Sequence, residues 1–291
     1  MIGLLNVHKP RGITSRDAVN RIQALVRPVK VGHAGTLDPL ATGVLVVAVG
    51  GATRLIEYVQ AQPKRYVAQF RMGCRSDTDD VEGSIQEVPG VVPPTRAVVE
   101  RELASFVGQI SQLPPAYSAV KVGGQRAYDR ARRGESVVLT PRVVHIEQLV
   151  LHRYEYPWLE LEIVCGSGTY VRSIGRDLGE RLATGAIMTE LVRTAIGSFR
   201  LEAAQSLDSM TRDHLTACLL PPLCALGDGP RVVLGSEELR RIGHGQAVLR
   251  TGHGLSGSIA GLAEDGRLIA VLQPLDADRL RPVVVLATST S

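Results

Sequence analysis

The chain has 291 residues, 44% hydrophobic and 21% charged, with a formal net charge of +4. This length holds one large domain plus a small one, and the balance excludes a disordered or fibrous chain. No apolar run reaches the roughly 18 residues of a membrane helix, and the opening MIGLLNVHKPRG lacks the basic and long apolar regions of a signal peptide.

The four cysteines, Cys74, Cys165, Cys218 and Cys224, are scattered without a C-x-x-C pair. That argues against a zinc knuckle or disulfide framework and fits a reducing cytoplasm. The mild basicity admits an RNA partner without requiring one.

Thr14 or Ser15 opens a helix as its N-cap, and Ala18, Val19, Ile22, Leu25 and Val26 recur at helical spacing until Pro28. VGHAGTLDPLATGVLVVAVG follows, from Val31 to Gly50. It places one carboxylate, Asp38, and one imidazole, His33, in a loop of Gly, Ala, Thr and Pro. GVLVVAVG then reads as a buried strand. RYVAQFRMG is a second strand, entered through Lys64 and Arg65, and SDTDDVEG is a polar turn. Pro89, Pro93 and Pro94 lead into an amphipathic helix over about residues 95–107. QLPPAYSAVKVGGQRAYDRARRGE, rich in Pro, Gly, Tyr and cations, reads as a protruding, mobile insertion. WLELEIVC alternates as a half-buried strand, and GSGTYVRSIGRDLGERL starts a helix with Val171, Ile174, Leu178 and Leu182 on one face. After GDGP the chain changes to short strands and Gly turns, marking a boundary near residue 227.

An Asp before a Pro is by default a turn residue. Asp38 departs from that default because a rigid strand follows directly and Gly32, Gly35 and Gly43 admit close approach of a ligand or backbone. A carboxylate can attack a sugar or electron-poor ring carbon, and it then needs a cation to hold it ionised. Arg172 lies in the first turn of its helix, where a cation opposes the helix dipole. An anionic partner is therefore implied, and the sequence does not name it. Tyr66 and Tyr170 are half-buried rings by default, but each stands at an element start, where a ring can stack on an unstacked base. Lys9, in HKPRG, is by default a solvated cation on a fixed turn that can aim it inward.

Asp77, Asp79 and Asp80 resemble half a calcium loop, but Gly83 comes one position late and no terminal Glu follows, so no metal site is expected. The sequence has no H-E-x-x-H, G-x-G-x-x-G, Walker loop or G-x-S-x-G, and no cofactor is expected.

GHAGTLDPLATGVL resembles the catalytic motif of the bacterial tRNA pseudouridine synthases of the TruB family. NVHKPRGITSRD, KRYVAQFRMGCRSDTDDVEG, QLPPAYSAVKVGGQRAYDRARRGE, CGSGTYVRSIGRDLG and MTELVRTAIGSF resemble further family motifs, in order, over about residues 3–210. One departure is Leu191-Val192-Arg193-Thr194, where the family often has Leu-Arg-Arg-Thr.

The resemblance implies Asp38 as the catalytic aspartate, Tyr66 as the ring stacking on the target base, and Arg172 as the arginine paired with the aspartate. It implies Tyr170 and Leu191 as pocket residues, His33 as a holder of flipped nucleotides, and Lys9 as a support of the pocket. The implied reaction turns uridine 55 of the tRNA T arm into pseudouridine, breaking C1′–N1 and making C1′–C5. Attack at C1′ and loss of the base through a glycal both remain open.

The element pattern supports an α+β class. The resemblance implies a large, mainly antiparallel mixed sheet with flanking helices in residues 1–226, an RNA-gripping insertion at about 110–137, and a PUA-like RNA-binding module in residues 227–291. The expected protein is a cytoplasmic monomer that binds the tRNA T-arm stem-loop, without a membrane or an obligate protein partner. The rival readings are an RNA-folding tRNA chaperone and the catalytic subunit of a guide-RNA-dependent synthase.

Overall fold

The computed structural model describes residues 1–115, 139–251 and 254–286, together with the backbone of 121–122 and 125–126. Most of the expected insertion therefore lies outside the described residues. The chain forms two compact units, one of Met1–Pro39, Gly43–Gln62 and Ile196–Ser291, the other of Leu40–Thr42 and Pro63–Ala195.

In the first unit, β1 (Gly3–Lys9) pairs antiparallel with β3 (Thr42–Val49), which also pairs with β2 (Val31–His33). The unbroken apolar run of β3 has a direct cause, since both of its faces are covered. Val44, Val46 and Ala48 pack with Leu4, Ala52, Leu55 and Val59, while Leu45, Val47 and Val49 pack with Leu5, Val7 and helix α1 (Ser15–Val26). A strand covered on two sides needs apolar residues at every position, so period-two alternation vanishes. Helix α1 turns Ala18, Val19, Ile22 and Val26 to this core. Thr14, not Ser15, is its N-cap. The Asp17 N–H donates to Thr14 Oγ1 at 3.1 Å, and Asp17 Oδ2 accepts from the Thr14 N–H at 2.9 Å. Two otherwise orphaned donors are thereby satisfied.

The C-terminal part of this unit forms its own five-stranded sheet in the order Arg231–Val233, Ile259–Leu262, Leu268–Pro274, Arg279–Val285, Val248–Leu249. The first pair is parallel and the rest antiparallel, around a core that includes Leu234, Ile242, Val248, Leu272 and Leu280.

The second unit is built on β4 (Lys64–Met72). Its buried positions alternate, putting Lys64, Tyr66, Ala68, Phe70 and Met72 on one face. The strand Trp158–Cys165 runs antiparallel to it, opposing Ile163 to Tyr66 and Cys165 to Lys64. The strand Ala186–Ile196 lies on the other side of β4. The strand Arg142–Glu155 and then β7 (Gly108–Gln112) extend the sheet to its edge, so residues 110–112 belong to a strand. A short ribbon of β5 (Cys74–Ser76) and β6 (Ile85–Glu87) carries the acidic turn between its strands. The expected helix over 95–107 is shorter, Arg96–Ala104. Ser105 Oγ donates to the Glu102 carbonyl at 2.6 Å, and Phe106 turns into the core beneath the Arg181 guanidinium. The helix Val171–Arg181 crosses β4 closely at Gly175, where an added Cβ would sit 2.3 Å from the Phe70 ring.

Among the described residues, no helix is long and apolar enough to cross a membrane.

Candidate active site

Lys9, His33 and Asp38 belong to the first unit. Lys9 ends β1 and is wholly buried, which corrects the default reading of a solvated loop cation. Its ammonium donates to the Pro10 and Ile13 carbonyls, each at 2.8 Å, and reaches the Pro39 carbonyl at 3.4 Å. A buried ammonium is tolerable only with such acceptors, and here they belong to two loops that it ties together. The Gly12 N–H donates to the same Pro39 carbonyl at 2.8 Å. His33 ends β2, half-buried, opposite Val47 of β3. The loop then turns through Gly35 at φ +94°, a left-handed conformation that favours glycine. Asp38 is half-buried, between a buried Leu37 and the anchored Pro39. The residue is thus partly exposed while the backbone beside it is fixed.

Tyr66, Tyr170, Arg172 and Leu191 belong to the second unit. Tyr66 stands on β4 with 9% of its surface exposed, and Leu191 is buried on the neighbouring strand. Tyr170 is the N-cap of its helix, but no side chain caps it. The buried Gln112 holds it through the backbone instead. The Tyr170 N–H donates to Gln112 Oε1 at 2.8 Å, and Gln112 Nε2 donates to the Tyr170 carbonyl at 3.0 Å.

Within its own unit Arg172 has an anionic partner, Asp80. Its Nη1 lies 3.2 Å from Asp80 Oδ2 and donates to the Thr78 carbonyl at 2.9 Å. Asp80 Oδ1 accepts from Thr78 Oγ1 at 2.6 Å and from the Glu82 N–H at 3.0 Å, so both of its oxygens are engaged. One turn further along, Arg176 Nη1 donates to Asp79 Oδ2 at 2.8 Å. Burial pushes the Asp79 carboxyl above its ordinary value, against the pull of Arg176 and Arg172. The turn is zipped to the strand Ala186–Ile196 by the Met188 N–H on the Asp79 carbonyl and the Val81 N–H on the Met188 carbonyl, each 3.0 Å.

The polar turn SDTDDVEG therefore anchors two arginines through its buried Asp79 and Asp80. Asp80, Gln112 and the Lys9 acceptors escaped the sequence reading. One signal was present, since two arginines four apart on a helix face match two adjacent acids. Among the described residues, no group of three or more His, Cys, Asp or Glu is placed to hold a metal ion.

Beside Tyr66, Lys64 is buried and its Nζ donates to Ser167 Oγ at 2.7 Å. Burial, with a smaller push from Arg193, lowers its ammonium to about 8. Burial raises the Cys165 thiol, opposite Lys64 in the sheet, to about 11.

Residues 23–171 match the model of the family described as TruB family pseudouridylate synthase (N terminal domain). A tRNA pseudouridine synthase B of Synechocystis sp. is 43% identical over 257 residues, covering 86% of each chain. One of Thermobifida fusca is 40% identical over 295 residues, covering 99% of each. Among solved structures, the crystal structure of a Cbf5-Nop10-Gar1 complex aligns with a TM-score of 0.73 at 24% identity, covering 98% of this chain and 85% of that one. That similarity establishes the fold.

Proposed function

Because the chain belongs to the TruB family of pseudouridylate synthases, we propose that it isomerises uridine 55 in the T arm of tRNA, with Asp38 as the reacting carboxylate. The observation that carries this reading is the partly exposed Asp38 on a loop whose next residue is anchored by Lys9 and Gly12. A reacting group held in this way does not have to be ordered during the reaction.

The reaction balances within one nucleotide. The C1′–N1 bond breaks, C1′–C5 forms, C5 loses a proton and N1 gains one. Nothing is oxidised or hydrolysed, so one carboxylate suffices where a typical glycosidase uses two. Asp38 either bonds to C1′ or ejects the base through a glycal. The uridine must first leave its stack, at a cost of a few kcal/mol. Stacking on Tyr66 offsets this by about 1–3 kcal/mol. Arg172 supplies the positive charge that serves the aspartate. Tyr170 and Leu191 line the pocket, His33 holds the flipped nucleotides, and Lys9 acts from behind the loop. The rest of the insertion, after Gln112, and the module of residues 227–291 grip the RNA. The protein works as a cytoplasmic monomer without a cofactor.

The test is incubation of the pure protein with an unmodified tRNA transcript and with a T-arm hairpin, followed by mapping of pseudouridine. Modification at position 55 without a guide RNA is expected. Binding without modification would favour a chaperone role instead.

A further inference from the structure

We propose that Ser15 is a positioning residue for Asp38, holding the backbone on the opposite side from Lys9. Ser15 is the first residue of α1, 2% exposed, and its hydroxyl makes two bonds to one residue of the Asp38 loop. The Leu37 N–H donates to Ser15 Oγ at 2.8 Å, and Ser15 Oγ donates to the Leu37 carbonyl at 3.0 Å. Two bonds to both polar groups of one residue fix the peptide planes on either side of it. The second of those planes joins Leu37 to Asp38 and contains the Asp38 N–H.

The following peptide joins Asp38 to Pro39, whose ring fixes its own φ and restricts the residue before it. The Pro39 carbonyl is held in turn by Gly12 and Lys9. Asp38 is thus a single residue between two anchored neighbours. The Thr14–Asp17 capping box sets the first turn of α1 and so fixes where the Ser15 hydroxyl lies. Leu37 is 3% exposed, so removing that hydroxyl leaves its buried N–H and carbonyl without this partner and without water. The loop then shifts to satisfy them, and Asp38 shifts with it.

This inference rests on Asp38 as the reacting group, so Asp38→Asn is assayed alongside. The test compares Ser15→Ala with the parent protein, measuring single-turnover kcat on tRNA, Kd for tRNA, and the folded fraction by circular dichroism. Misplacing a reacting group by about 1 Å costs on the order of 100-fold. The expected result is a kcat lowered tenfold or more per folded molecule, with Kd within twofold. A smaller loss of kcat, or losses of kcat and Kd in parallel, overturns the positioning role. If Ser15→Ala does not fold, Ser15→Cys, of similar volume with a weaker hydrogen-bonding group, carries the test, and a kcat equal to the parent's overturns the proposal. If Asp38→Asn is inactive while Ser15→Ala is fully active, the positioning role alone fails. If Asp38→Asn turns over normally, the underlying reading fails.

Discussion

Arg172 and Asp80 form an ion pair at 3.2 Å with only 7% and 3% of their side chains exposed. A buried pair is costly to break from one side, because the remaining charge loses its counter-ion where water cannot replace it. Asp80→Ala is expected to lower stability by about 3–5 kcal/mol, read by urea denaturation. Arg172→Ala removes the other charge and is expected to reduce turnover by at least tenfold. Unchanged turnover in a folded Arg172→Ala protein would remove Arg172 from the chemistry.

Gln112 fastens the helix that begins beside Arg172, through both backbone groups of Tyr170. Gln112→Ala leaves the part-buried N–H and carbonyl of Tyr170 without this partner, a loss of about 1–3 kcal/mol. The melting temperature is expected to fall, and a protein melting like the parent would show that the latch carries no stability.

Lys64 and Cys165 give stability a signed dependence on pH. Lys64 falls from an ordinary 10.5 to about 8 in the fold, so above pH 8 the unfolded chain binds the extra proton and stability rises with pH up to about 10.5. Cys165 rises from 9.0 to about 11, so above pH 9 the folded chain keeps a proton that the unfolded chain loses, and stability falls. The Lys64 effect therefore stands alone between pH 8 and 9 and is opposed above pH 9. Urea denaturation of Lys64→Met at pH 7.5, 8.5 and 9.5 is expected to lack the early rise that the parent shows. Above pH 9, Cys165→Ala is expected to lose less stability than the parent, with Cys74 and Cys224, whose thiols burial also raises, still opposing Lys64. A Lys64→Met profile parallel to the parent's would refute the assignment.

Phosphate contacts release counterions, so raising salt from 50 to 200 mM is expected to weaken tRNA binding steeply. Removing the cations of residues 121–133 is expected to flatten that slope. An unchanged slope would take those cations out of the RNA contact.

The elements around Asp38 were legible in the sequence because local rules govern them. Periodicity gave α1, and the apolar run after Asp38 gave β3. The implied partner of Arg172 was legible as a need, from its place in a first helical turn. The residues alone did not name what supplies it, the resemblance named Asp38, and the acid that packs on it within its own unit is Asp80. Asp80 lies 92 residues from Arg172, Gln112 lies 58 from Tyr170, and Ser15 lies 22 from Leu37. Such pairs are made by packing, and no local periodicity records them. For the same reason Ser15 read as a possible cap and SDTDDVEG as a polar turn. Each is polar in composition, and only the fold buries Ser15, Asp79 and Asp80.

The most direct measurement is tritium release from C5-labelled uridine in tRNA by Asp38→Asn. No release above background is expected, with tRNA affinity within a few-fold of the parent's. Sustained release from the folded variant would contradict Asp38 as the group that makes or breaks the bond at C1′.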